Sequence, residues 1–180
     1  HAVTAAVFGH EVFHTFFGLG KVGKLGEEIR SSTSPAYQEA VQCIEDGAAA
    51  SCGADRFGEE PYCHSGNATI GEDAPDLEGT RAAFRHYERT FKNILENKAE
   101  NLTITNRQLF FYANTALWCA FERMGANEKP DPTDTHSLYY LRINFVFSQM
   151  RQFQQAFGCS PGDKMVQEKK CYVFGDMLDA

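Results

Sequence analysis

A mainly α-helical fold is the class this sequence predicts, on three observations. Residues 2–17, AVTAAVFGHEVFHTFF, are Ala-rich, free of proline and long enough to form one helix. Later stretches, of which 105–125 (TNRQLFFYANTALWCAFERMG) is the clearest, keep a continuous apolar character over helical lengths. The segments between them are Gly-rich, Cys-rich or Pro-containing connections, and no internal repeat or low-complexity run interrupts the pattern.

The first helix is expected to stop near Gly18, followed by a polar Gly-rich connection to about Ser34. The second, SPAYQEAVQCIEDGAAA, leads into the Cys-rich loop SCGADRFGEEPYC. A third runs from about Thr69 to Asn97. Its acidic start, Glu72 and Asp73, suits the helix dipole, Pro75 is tolerated in a first turn, and its later part presents a charged, solvated face. The fourth, 105–125, reads as buried, with its aromatic stripe in the core. The loop EKPDPTDTHS separates it from a fifth helix, LRINFVFSQMRQFQQAF.

The chemistry starts at His10-Glu11-Val12-Phe13-His14. Positions i and i+4 of a helix stand on one face, so His10 and His14 can offer two imidazole nitrogens to one metal ion. Glu11 is then the usual general base, accepting a proton from a water whose pKa zinc has lowered to roughly 7. Val7, Phe8, Val12, Phe13, Phe16 and Phe17 make the helix apolar on most faces, which predicts that it is buried. Two histidines and a glutamate in a buried helix need partners, and zinc would be one.

A catalytic zinc usually takes three protein ligands and leaves a position open. The extended motif with glycine at 17 and histidine at 20 is excluded, because the chain has Phe17 and Gly20. The alternative is a glutamate on a later helix. Glu72, in Gly71-Glu72-Asp73-Ala74-Pro75-Asp76, fits, and Asp76 one turn further on can hold a histidine ring by its free N–H.

With these residues in place the chain resembles the neprilysin and endothelin-converting-enzyme family of zinc metallopeptidases over nearly its whole length. The match runs through GHEVFH, IGEDAPD, NRQLFFYANTALWCAF, DTHSLYYLR and EKKCYVF, in that order. The resemblance implies a thermolysin-like, gluzincin-type helical catalytic lobe with one zinc per chain. It implies His10, His14 and Glu72 as ligands, Glu11 as base and Asp76 as a supporting carboxylate. It also assigns His136 to the oxyanion and Arg142 to the substrate backbone. A donor aimed at an oxyanion is worth on the order of 3 kcal/mol, and Asp134 could orient the His136 ring. Without the family, His136 would be a loop histidine and Arg142 a surface arginine. The hydrophobic pocket just beyond the scissile bond maps onto Val7, Leu117 and Trp118, so the substrates expected are peptides cleaved before a bulky apolar residue. His64 and His86 lie in no matching motif.

Two departures stand out. The family has an aspartate supporting the zinc histidines where this chain has Phe17, and such a loss typically lowers metal affinity or activity about 10- to 100-fold. After Asp76 the family continues Asn-Gly-Gly, whereas this chain has Leu77-Glu78-Gly79. Family members also carry an upstream portion, with a helical cap and a substrate-binding edge strand, whereas this chain begins at His1 without a signal peptide. Residues 1–180 are therefore expected to be the C-terminal part of a catalytic domain that pairs with that portion. A homologue with impaired turnover, serving as a binding or assembly module, is the competing expectation.

Six cysteines and sequons at Asn67 and Asn101 point to an extracellular, disulfide-forming glycoprotein, secreted or the ectodomain of an anchored protein. The resemblance pairs Cys43 with Cys171 and directs Cys119 and Cys159 to the upstream part, while Cys52 and Cys63 have no family counterpart and are expected to pair together. No C-x-x-C spacing suggests a structural zinc. No stretch approaches the roughly 20 apolar residues of a membrane span. A net charge of −7 argues against nucleic acid as a partner.

Overall fold

The computed structural model describes residues 2–17, 35–51, 69–118 and 134–175. Among them lie α1 (Ala2–Phe17), α2 (Pro35–Ala50), α3 (Ile70–Phe91), α4 (Asn106–Ala116), α5 (Tyr139–Ser148) and α6 (Arg151–Phe157). The only strand pairing among the described residues is an isolated antiparallel bridge between Lys98 and Thr105, so the mainly α expectation holds.

The helix α3 is the centre of the molecule. Its buried residues run almost unbroken from Gly71 to Phe84, and it packs on α1, α2, α4 and α5. The most extensive contact is with α1, and the helices meet backbone to backbone at two glycines. A β-carbon on Gly79 would stand 2.5 Å from the His10 nitrogen, and one on Gly9 would stand 2.9 Å from the Gly79 α-carbon. Two adjacent small positions let α1 settle low enough on α3 to bring the HEVFH face against the Glu72 turn. Gly79 is thus the member of the family's Asn-Gly-Gly run whose absence of a side chain this crossing requires, and it is retained.

Phe84, Phe110 and Phe111 form the aromatic core with Phe147 and Phe153, at ring separations of 4.9–5.4 Å. The expected aromatic stripe of α4 is core, with Phe110 and Phe111 each 1% exposed. A second aromatic group joins Phe13, Phe16 and Phe17 to Phe174, and Phe17 also stacks on Tyr37. Phe17 is therefore a buried packing residue where the family carries a carboxylate. The expected Cys43–Cys171 disulfide is present. It closes a separation of 128 residues, which the chain-entropy account values at roughly 5 kcal/mol as an upper figure.

Several boundaries differ from the expectation. The first helix is not buried on most faces: Phe8 is 70% exposed and Val12 44%, because the described elements cover its α3-facing side, part of it through α4, and its end around Phe13–Phe17, but not the face bearing Phe8 and Val12. The third helix ends at Phe91 rather than Asn97. The carbonyls of Leu95 and Asn97 accept from Arg107 and Asn106 at the start of α4, so the chain turns there instead of continuing its ladder. Counted from the start at Ile70, Pro75 sits at the sixth helical position, past the first turn where it was expected, and the helix continues through it.

The fourth helix stops at Ala116, with turns at Leu117 and Trp118; its expected continuation, with Cys119, lies outside the described residues. Its start is fixed by a capping box in which Thr105 and Gln108 exchange side-chain bonds to each other's backbone N–H. The expected fifth helix is two, beginning at Tyr139 and divided at Gln149–Met150. Distant groups claim the backbone there: Arg81 and Lys170 donate to the carbonyls of Gln149 and Ser148, and Cys171 N–H donates to the Gln149 side chain. The Gly-rich connection from Gly18 to Ser34, and Cys52, Cys63, His64 and Asn67, also lie outside the described residues. Among the described residues Cys159 is a free, half-buried thiol, and Asn101 is exposed at a turn.

Candidate metal centre and substrate pocket

The helical spacing read from the sequence is realised in three dimensions. His10 and His14 stand one turn apart with ring centroids 4.4 Å from each other and nearly perpendicular planes. The N-terminal turn of α3 brings Glu72 against them, 3.2 Å from His10 Nε2 and 3.6 Å from His14 Nε2. His136 arrives from the loop before α5, with Nε2 3.3 Å from the same Glu72 oxygen. That oxygen, Oε2, is buried and makes no aligned hydrogen bond, although three imidazoles converge on it.

One donor atom each from His10, His14 and Glu72 lie within 4.8 Å of one another. Such a cluster of two neutral-capable imidazoles and a carboxylate suits zinc, which would take the place that no aligned proton donor fills. The residues therefore fit the metal.

Behind the donors lies a supporting layer. Asp76 Oδ1 is 2.7 Å from His10 Nδ1, as expected from its place one turn after Glu72. The same carboxylate accepts two bonds from the Arg142 guanidinium, at 2.5 Å and 2.9 Å, and Arg142 is buried beneath the Trp118 ring at 4.1 Å. Arg142 is thus not a surface side chain, and Asp76 links it to a candidate ligand. Burial opposes the charged form of His10, but the carboxylates of Asp76 and Glu72 outweigh it and raise the ring to about 9. Burial likewise opposes the Glu72 anion, and the surrounding imidazoles more than compensate, holding its carboxyl below the usual range. Asp134 accepts from the His136 backbone N–H at 2.9 Å and meets its Nδ1 at 2.8 Å, so the ring is oriented as the sequence suggested.

A cavity of about 320 Å³ opens beside His10 and Glu11. Val7, Leu117 and Trp118, the pocket residues expected from the sequence, line it together with Tyr139, Thr80 and Asn114. Glu11 is exposed at its edge. Sequence reasoning missed Thr80 and Asn114, yet a signal existed: Thr80 is one turn beyond Asp76, and Asn114 is one turn before Leu117 and Trp118. It also missed Asp73, which is 2% exposed and accepts from Thr69 and Ser137, tying the His136 loop to α3.

The site thus joins a helix bearing His10-Glu11-Val12-Phe13-His14 to a glutamate from a second helix, inside a helical lobe. The family model described as peptidase family M13 matches residues 1–173, and the chain belongs to that family. It is 31% identical to bovine endothelin-converting enzyme 1 over 173 residues, covering 93% of this chain and 22% of that protein. Drosophila melanogaster neprilysin-3 is 30% identical over 174 residues, with 93% and 21% covered. The chain therefore spans only about a fifth of the length of these relatives. A solved structure described as "Haemonchus galactose containing glycoprotein complex" superposes with a TM-score of 0.73 at 26% identity, covering 96% of this chain and 30% of that one.

Proposed function

We propose that residues 1–180 are the C-terminal part of the catalytic domain of an extracellular zinc metalloendopeptidase. The observation that carries the reading is the convergence of His10, His14 and Glu72 on one point beside an open pocket. Bound zinc would supply Lewis acidity, polarising the scissile carbonyl and acidifying water. Glu11, at the pocket edge, takes the proton from the attacking water and passes it to the leaving amine. His136, oriented by Asp134, donates its ring N–H to the oxyanion. Arg142 spends Nε and Nη2 on Asp76, which leaves Nη1 for a substrate carbonyl. Val7, Leu117 and Trp118 receive a bulky side chain just beyond the cleaved bond.

The substrates are peptides of small to medium size, and the upstream part of the same peptidase completes the site, with Cys119 and Cys159 as its disulfide partners. The Cys43–Cys171 disulfide and the exposed sequon at Asn101 support an extracellular setting. No helix among the described residues is long and apolar enough to cross a membrane.

The test is Glu11→Gln in the protein bearing its upstream portion. Peptide hydrolysis should fall by about 10²- to 10⁴-fold while the zinc content stays at one per chain. The second reading, a binding or assembly module, is favoured by the buried Phe17 and by the structural likeness to a component of a glycoprotein complex. Absence of hydrolysis in the unmodified protein, with substoichiometric zinc, would establish that reading instead.

A further inference from the structure

Two polar side chains in the cavity take no part in the chemistry above. Thr80 is 6% exposed and Asn114 3%, and both line the pocket. Among the described residues neither side chain meets a hydrogen-bond partner, whereas other buried polar side chains nearby, such as Asp73 and Ser137, are bonded to each other. Part of the wall is apolar or aromatic, with Val7, Leu117, Trp118 and Tyr139, the last two with ring centroids 5.9 Å apart, and the rest includes the charged side chains of Glu11, Asp76 and Arg142. Both polar residues sit on helices, so their positions are fixed.

A ligand that fills the cavity takes the Thr80 hydroxyl and the Asn114 amide out of contact with solvent, and leaving either unpaired then costs about 1–3 kcal/mol, so a ligand group that pairs with them is favoured over one that does not. Amide and hydroxyl each donate and accept, and the ligand group that matches both is another neutral donor–acceptor such as a hydroxyl. A carboxylate end is disfavoured by Glu11 and Asp76, which line the same cavity, and the Asp76 charge already offsets that of Arg142. An ammonium end would have to leave water for a carboxylate already shared by His10 and Arg142.

We propose that Asn114 and Thr80 make this pocket selective for a side chain with a ring-sized apolar body and a neutral hydrogen-bonding end, so that tyrosine is taken in preference to phenylalanine. The position of that residue, directly after the cleaved bond, rests on the peptidase reading. The side-chain preference does not, because it is a property of binding.

The test uses the full-length parent protein carrying Glu11→Gln, with added zinc, and two peptides that differ only in tyrosine or phenylalanine at that position. Calorimetric titration should show the tyrosine peptide binding about 10-fold more tightly, the equivalent of one recovered hydrogen bond. The ratio should fall to about 1 in Asn114→Leu and be reduced in Thr80→Val. Both peptides meet the same fold, so a loss of stability in either variant leaves the ratio interpretable. Equal affinities, a preference for phenylalanine, a ratio unchanged in both variants, or no binding of either peptide at millimolar concentration overturns the proposal. Hydrolysis by the unmodified protein is measured separately. If neither peptide is cleaved while the binding ratio holds, the peptidase reading falls and the pocket selectivity stands.

Discussion

The helix α3 carries two buried carboxylate–arginine pairs only two residues apart, and they serve opposite ends. Asp76 faces α1 and the cavity, where it holds Arg142 in a two-bond grip and also meets His10. Glu78 faces the other way and pairs with Arg81, both side chains wholly inaccessible. Arg81 continues to the carbonyls of Cys171 and Gln149 and lies against the Tyr172 ring at 4.7 Å. The first pair orients a candidate metal ligand and an arginine that lines the cavity. The second ties the C-terminal segment and the α5–α6 break to the central helix. A carboxylate and a guanidinium therefore border the candidate site in one pair and tie the fold together in the other, and their third partners distinguish them.

The largest effect separating the pairs should come from Arg81→Met. It removes one member of a fully enclosed pair and leaves Glu78 charged in a dry site, which typically costs about 3–5 kcal/mol. Urea unfolding should register that loss, while the folded fraction keeps its affinity for zinc. A stability unchanged within 1 kcal/mol would mean that the two pairs are equivalent. Asp76→Asn should do the converse. Removing a carboxylate that holds a ligand histidine lowers metal affinity by about 10- to 100-fold, read by competition with a chelator, and weakens substrate binding through the unanchored Arg142. An unaltered zinc affinity would detach Asp76 from the site.

Much of this contrast was legible in the sequence on one side and invisible on the other. His10, Glu11 and His14 share one helical turn, so spacing alone places them together; the need for a third ligand then points to Glu72 on a later helix, and Asp76 follows from Glu72 by the same one-turn spacing. Arg142 lies 66 residues from Asp76, and no local period connects them. Only the packing of α5 against α3 does. The same limit explains the helix ends: no glycine or proline marks Gln149–Met150 or Phe91, because those breaks are set by hydrogen bonds from Arg81, Lys170, Cys171 and the start of α4. Exposure of Phe8 and Val12 was misjudged for a related reason. An apolar face shows that a surface wants cover, and periodicity does not reveal whether the described elements supply it.

A third carboxylate on α3 sharpens the comparison, because it is buried without an arginine. Asp73 accepts hydrogen bonds from the hydroxyls of Thr69 and Ser137, and among the described residues no cation lies within ion-pair distance of it. Burial, only partly offset by those two hydroxyls and reinforced by the Asp76 charge, raises its carboxyl from 3.8 to about 6. The folded chain therefore holds this proton up to about pH 6, while the unfolded chain releases it near 3.8. The stability it contributes is complete below the lower value and is lost as the pH rises through the upper one. Asp73→Asn keeps an acceptor for Thr69 and Ser137 but carries no charge. It should remove the decline in stability between pH 4 and 6 and gain about 1 kcal/mol at pH 8, after allowing for the weaker neutral hydrogen bonds. Unfolding curves at those pH values, set against Asp76→Asn, decide whether a buried acid here needs a cation. If the Asp73→Asn chain keeps the original slope, the proton belongs to another group, and Asp73 is held as firmly as its arginine-paired neighbours.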